Sequence, residues 1–395
     1  MENPFRIAGT TAGVHFTDRE AEVRKMVAIL REPQAKLVVY GPRRMGKSSA
    51  MAVAARRVET RYKVPVIFAD VSTVSGEADI ATRVMQGAIQ AFGKKWQDTF
   101  KQFATRLSAK LTISVDPVTG LPTVGVEPTV RDASEAAQRD NLGEVLDTID
   151  ALAAQRGGPV GIMLDEFQDI HRYGGEQAEW HLRGIIQRHQ HVSYILAGSS
   201  EALITAMISE RTRAFYELAE RLYIGPIDPV HMAAWIDERF ESAEVRANHI
   251  GATIVTIAGP RTRDRVRLAR ATFATVSEKH RVDVSDVETA LDQIVEEMAP
   301  EYSLVWRALP PNQQNVLRAV AAGAGTLFQS DIRERFSLGK TSGTTAKAIA
   351  RLVDLEYVTR SGTGTGYVFD SPFFARWVST RTLQDVGSGP LPLLR

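Results

Sequence analysis

The sequence predicts an α/β fold built on a parallel sheet, then a helical region, then a small α+β unit. Three observations predict it. Short apolar runs alternate with amphipathic stretches over 17–92 and again over about 136–228. From about 229 to 298 the pattern is all-helical. From 312, three helical stretches precede a β-turn-β segment with a glycine-rich turn. Strand–helix alternation calls for crossover connections and hence a parallel sheet.

Bulk composition bounds the rest. A chain of 395 residues is too long for one ordinary core and implies two or three domains. Apolar content of 44% and charged content of 24% are globular values. The net charge of +1, from 48 basic and 47 acidic residues, favours no partner, so a nucleic-acid site has to be a local patch. With no cysteine, disulfides, thiolate catalysis and cysteine-based zinc sites are excluded. The N-terminal stretch lacks a signal-peptide pattern, and no run of apolar residues is long enough to span a bilayer. The expectation is a cytoplasmic chain without a membrane partner.

The elements follow in order. Residues 17–31 predict a helix, with Thr17 as N-cap, Glu20 three residues on, and Val23, Met26, Val27 and Leu30 as its apolar stripe. "KLVVY" (36–40) and "VPVIFADV" (64–71) predict buried strands, separated by a helix over 47–61 and followed by one over 78–92. Residues 93–135 interrupt the alternation, and 109–129 around "DPVTG" predict a β-hairpin insertion. A helix over 136–156 leads into "PVGIML" (159–164), a further helix, "VSYILAG" (192–198) and "RLYIGPI" (221–227), three more buried strands. The expected domains are 1–228 (α/β), 229–298 (helical), a proline-marked linker over 299–311, 312–381 (α+β), and a loose tail over 382–395.

One stretch carries chemistry. "GPRRMGKSS" (41–49) contains G-x-x-x-x-G-K-S/T between a strand and a helix. Gly41 and Gly46 let backbone N–H groups approach phosphate oxygens, and the helix starting near Lys47 adds its positive end. The Lys47 ammonium suits β- and γ-phosphates, and the Ser48 hydroxyl suits Mg²⁺. Pro42, Arg43, Arg44 and Met45 fill the variable positions, and Ser49 follows. Arg43 and Arg44 sit at the crest, where side chains point outward, and are expected to sense a lid, a neighbour or a DNA strand. "GIMLDEFQDI" supplies the second element: Asp165 for Mg²⁺ and Glu166 to orient and activate water. Asp169 is expected to be solvated or helix-capping. "AGSS" places Ser199, with Ser200 the alternative, where a γ-phosphate would be sensed; an ST-turn is the other reading. ATP and Mg²⁺ are therefore the expected cofactors, and ATP hydrolysis the expected activity.

Taken together, "FTDREAEV", "GPRRMGKSS", "GIMLDEFQDI", "YILAGSS", "RLYIGPI" and "YVFDSPFFARWV" resemble the archaeal-type ATPase family. These are AAA+/STAND-related P-loop ATPases with a C-terminal winged helix, similar to origin-recognition and transposition-regulator ATPases. The resemblance implies a sheet order of 5-1-4-3-2 and a helical lid after the fifth strand. It implies that Phe16 and Arg19 lie near adenine, although Phe16 reads equally well as a hydrophobic staple. It implies an arginine finger, for which Arg213 is preferred over Arg211 and Arg221, while Glu217-Leu218 stand where relatives carry a basic residue. It also implies that Arg263, or Arg261, of the arginine-dense 258–272 segment touches the γ-phosphate.

The last unit has the helix–helix–helix–β-turn-β order of a winged helix. The early positions of its third helix, Thr341, Ser342, Thr344, Thr345 and Lys347, are expected to be exposed and suited to phosphate and base contact. Four basic and two acidic residues over 340–367 leave a net charge of only +2. Phe373, Phe374, Trp377 and Val378 are expected core. The expected partners are a second copy of the chain and duplex DNA through the winged helix, or a protein effector. The leading reading is an Mg²⁺-dependent ATP-hydrolysing switch that oligomerises near DNA. The alternatives are a DNA-binding regulator whose nucleotide only controls assembly, and a signalling or defence scaffold whose winged helix binds protein.

Overall fold

The computed structural model describes residues 2–7, 16–92, 111–115, 122–126, 135–276, 279–339, 341–361 and 366–383. Their contacts gather into two units, Ala8–Pro226, and Met1–Ile7 with Ile227–Arg395.

The first unit holds a five-stranded parallel sheet. Its strands are β1 (Lys36–Tyr40), β2 (Val66–Asp70), β5 (Val160–Asp165), β6 (Val192–Gly198) and β7 (Glu220–Tyr223), in the order β2-β5-β6-β1-β7. Counted among these five alone, that is 5-1-4-3-2, the order implied by the resemblance. Strands β5 and β6 are buried along their whole length, which is why they read as continuous apolar runs. Alternate residues serve opposite faces. Leu37, Val39, Met163 and Ile195 pack with α1 (Glu20–Arg31) and α2 (Lys47–Tyr62). Val38, Ile162, Leu164 and Leu196 pack with α3 (Glu77–Phe92), α4 (Glu135–Arg156), α5 (Ile170–Arg188) and α6 (Glu201–Ser209).

Three local expectations are corrected here. Helix α1 begins at Glu20, with Arg19 at the N-cap and no side-chain cap. Asp18, at φ 47°, turns the chain off the helical path before Thr17 can cap it. Strand β7 is mostly exposed, not buried: it is an edge strand, and two of its four residues, Glu220 and Arg221, carry charges that stay in water. Asp169 is buried rather than solvated; it stands at the N-cap of α5 without a side-chain cap, and its Oδ2 accepts instead from Thr73 N and Arg172 Nη1, each at 3.2 Å. The hairpin forms its own two-stranded sheet, β3 (Leu111–Val115) antiparallel to β4 (Pro122–Val126); its turn lies outside the described residues.

In the second unit, α7 (Pro229–Ser242) starts on Asp228, whose side chain accepts from Val230 N and His231 N, with proline at the first position. It is followed by α8 (Ile250–Ala258), α9 (Thr262–Val276) and α10 (Val284–Ala308). Phe5 is fully buried against Trp235 and Phe240, at centroid distances of 5.9 and 5.2 Å, and Arg270 Nη1 donates to Phe5 O. Burial of one such ring contributes about 2–3 kcal/mol.

The stretch expected as a linker, 299–311, is mostly helix. Helix α10 begins with an Asp283–Asp286 capping box and runs through Pro300 to Ala308. Proline removes one helical hydrogen bond, but Pro300 is exposed, so water can serve the carbonyl it leaves free. Helices α11 (Pro311–Ala321), α12 (Ser330–Arg335), α13 (Ser342–Asp354) and α14 (Pro372–Thr382), with the antiparallel pair β8 (Val358–Arg360) and β9 (Tyr367–Phe369), complete a winged helix. Phe373, Phe374, Trp377 and Val378 are core, as expected, and Phe374 and Trp377 pack against Tyr302 of α10. Thr345 is corrected from exposed to fully buried: its hydroxyl donates to Leu338 O, and helical spacing places it with Ala348, Ile349 and Leu352. Among the described residues no helix is long and apolar enough to cross a membrane.

Candidate active site

The sheet register builds the site. Tyr40, the last residue of β1, pairs with Gly198, the last residue of β6, while Asp165 ends β5. The segments leaving these strands therefore emerge side by side at the carboxyl edge, where ligands bind in open α/β sheets.

The loop 41–46 joins β1 to α2. Gly41 has φ 145°, and a Cβ there would collide with the Ile224 carbonyl. Gly46 has φ 92° with open space around it. The two glycines are thus required for different reasons, backbone packing at one and backbone conformation at the other. Arg44 adopts φ 67° as well, a left-handed conformation that costs a non-glycine residue about 1–2 kcal/mol. Met45 is buried in the core behind the loop.

Lys47 is 6% exposed, and its Nζ donates to Gly41 O at 2.9 Å and Pro42 O at 2.8 Å. Burial pushes its pKa down, and the Glu166 and Asp165 carboxylates oppose that. Ser48 Oγ donates to Asp165 Oδ2 at 2.6 Å. Burial pushes the Asp165 carboxyl up, against the Ser48 hydrogen bond. Ser49 is half-buried on the same turn. Glu166 follows in the left-handed region at φ 54°. Its Oε2 accepts from Ser199 Oγ at 2.7 Å and from Gln168 Nε2 at 2.5 Å. Arg43 Nε in turn donates to Ser199 Oγ at 3.2 Å. Arg43 is exposed, as expected of the crest, yet its Nε contacts Ser199 at the end of β6.

Mg²⁺ fits this donor set. The Ser48 hydroxyl and the Asp165 carboxylate supply two hard oxygens, one of them from a carboxylate. That matches a Mg²⁺ held by one or two carboxylates together with phosphates and water.

The other expected residues take these positions. Arg19 is buried, with Nη2 donating to Met45 O and Gly225 O and Nη1 to Glu22 Oε1. It clamps the loop to the chain after β7. Phe16 packs, partly buried, on the α1–α2 core, but with Arg19 as the N-cap it stands three residues before the cap and not at the position of a staple. Arg213 is buried, and its Nε and Nη2 reach the fully buried Glu179 at 3.1 and 2.5 Å, with His171 Nδ1 on the same carboxylate. A guanidinium so engaged anchors the α6–β7 segment to α5 rather than projecting outward; Arg211 and Arg221 are exposed. Arg263 is exposed on the first turn of α9, in the second unit, and Arg261 pairs there with Asp370. Sequence reasoning missed Gln168 and Glu179. For Gln168 a signal existed in its spacing, two residues beyond Glu166; for Glu179 there was none.

Residues 16–248 match the family model described as an ATPase domain predominantly from Archaea, and residues 300–380 match that of a probable winged helix domain. No curated protein matches the chain. The Walker-type ATPase of Pyrococcus abyssi superposes with a TM-score of 0.62 at 17% identity, covering 95% of this chain and 99% of that one. The Aeropyrum pernix ORC2 protein, solved as ADPNP–ADP complexes, gives 0.59 at 14% identity over 92% of both chains. The Aeropyrum pernix ORC1 protein in complex with DNA gives 0.50 at 19% identity, again over 92% of both. With the phosphate loop, the strand order and the family match in agreement, this chain belongs to the predominantly archaeal ATPase family, on an AAA+-type P-loop fold with a C-terminal winged helix domain.

Proposed function

We propose that the chain binds ATP with Mg²⁺ at the carboxyl edge of β1, β5 and β6 and hydrolyses it as a conformational switch. The observation that carries this is the convergence of Lys47, the Ser48–Asp165 pair and the Ser199–Glu166 pair on one edge of one sheet. Bound Mg·ATP supplies a polarised terminal phosphoryl group. The residues of the chain do the positioning. Lys47 exchanges its two loop carbonyls for phosphate oxygens. Ser48 and Asp165 hold the metal. Glu166 orients the attacking water and accepts its proton. Ser199 offers its hydroxyl to the γ-phosphate. With Arg213 anchored on Glu179, the exposed Arg211 is our candidate for the finger. The test is Glu166→Gln. It should keep ATP binding and lose hydrolysis by about 10²-fold or more, the usual worth of a general base. Hydrolysis at the wild-type rate would remove Glu166 from this role.

The winged helix favours a nucleic-acid partner for this switch. Thr341, Ser342, Thr344 and Lys347 are exposed at the start of α13, and the similar ORC1 structure is a DNA complex. We therefore place duplex DNA, with a second copy of the chain, ahead of a protein effector. Duplex affinity that falls steeply with salt and changes with ATP supports this reading; affinity indifferent to salt opposes it.

A further inference from the structure

The Glu166 carboxylate has a second holder besides Ser199. Gln168 lies in the 3₁₀ turn Phe167–Asp169 and is 2% exposed. Its Nε2 donates to Glu166 Oε2 at 2.5 Å, and its Oε1 accepts from Ser199 N at 3.2 Å. One amide thus bridges the carboxylate and the backbone at the end of β6. Its orientation follows from chemistry. Turned over, its carbonyl would face a carboxylate and its NH₂ would face an N–H, and both pairs repel. Gly198 makes the space, since a Cβ there would strike Gln168 Oε1 and the Ile204 side chain.

We propose that Gln168 is a positioning residue for hydrolysis, tethering Glu166 Oε2 while Ser199 is engaged elsewhere. This rests on the reading of Glu166 as the water-orienting base. The argument is a count of protons. Ser199 Oγ accepts from Arg43 Nε and donates its single proton to Glu166. A Ser199 that donates to a γ-phosphate no longer donates to Glu166. Sensing and holding are therefore exclusive for Ser199. The Gln168 donor faces no such choice, because its other end is fixed to the β6 backbone. It keeps Oε2 in place through the sensing step and leaves Oε1 for the water.

Two variants of the full chain test this. Gln168→Met keeps length and apolar packing but loses both hydrogen bonds. Gly198→Ala displaces Gln168 without altering either partner's chemistry. Each should lower kcat about 10–100-fold, the scale expected when a reacting group is misplaced by about 1 Å, with ATP affinity unchanged. In a Glu166→Gln background neither should lower the residual rate further, because they act through Glu166. Gln168→Met with wild-type kcat, while Glu166→Gln is impaired, overturns this proposal alone. So does a loss of equal size in both backgrounds, which is what a packing defect gives. Wild-type hydrolysis by Glu166→Gln overturns the Glu166 reading and this proposal with it.

Discussion

Replacing Arg19 with alanine separates two roles that the side chain could have. In the structure its Nη2 serves two backbone carbonyls, Met45 O in the phosphate loop and Gly225 O beyond β7. The group is 5% exposed. A hydrogen bond from a charged donor contributes about 1.5–3 kcal/mol, and a buried acceptor left without a partner costs about 1–3 kcal/mol. Met45 O is buried and Gly225 O partly so, which places the loss at about 3–5 kcal/mol. Glu22, the third partner, is 21% exposed and regains water, so it adds little. For a unit of this length about 2–4 °C accompanies each kcal/mol, so the melting temperature should fall by roughly 10 °C. Calorimetry without nucleotide reads the fall, and hydrogen exchange over 41–49 assigns it to the loop. Arg19→Lys, with one nitrogen for two carbonyls, should recover about half. An unchanged melting temperature with weakened nucleotide binding would refute the clamp and restore the adenine contact.

Two further perturbations follow from the same geometry. Arg213→Ala leaves the fully buried Glu179 carboxylate without its guanidinium and should destabilise the first unit by about 3–5 kcal/mol; a finger role predicts instead unchanged stability and lost turnover in the assembled form. Asp165 titrates above its usual range in the folded chain because it is buried. The native state then binds a proton that the unfolded chain has already released, so stability falls as pH rises from the usual carboxylate value through the raised one. Asp165→Asn should therefore melt higher than the wild type at neutral pH, converge with it in acid, and lose Mg²⁺-dependent hydrolysis. A variant that melts lower at neutral pH would contradict this.

What the sequence determined by itself is local. The loop 41–48, the Asp165-Glu166 pair after an apolar run, and the order of strands and helices are set by spacing along the chain, where backbone conformation and side-chain periodicity leave a direct trace. Phe373, Phe374, Trp377 and Val378 were legible for the same reason. What tertiary structure decided is the partner of each polar group. Arg43 meets Ser199 across 156 residues, Arg19 meets Gly225 across 206, and Arg213 meets Glu179 across 34. Composition and periodicity record that a guanidinium is present; only the packing of distant elements brings it to its partner, and at Arg19 and Arg213 excludes water as well. The buried Thr345 and the helical 299–308 stretch show the same limit. A hydroxyl or a proline has a local preference of about 1–3 kcal/mol, and the contacts of a whole face outweigh it. Arg43 and Arg44 illustrate the division within two residues. The phosphate-loop motif specifies neither, the fold ties Arg43 to Ser199 and through it to Glu166, and Arg44 bends the backbone that Lys47 closes.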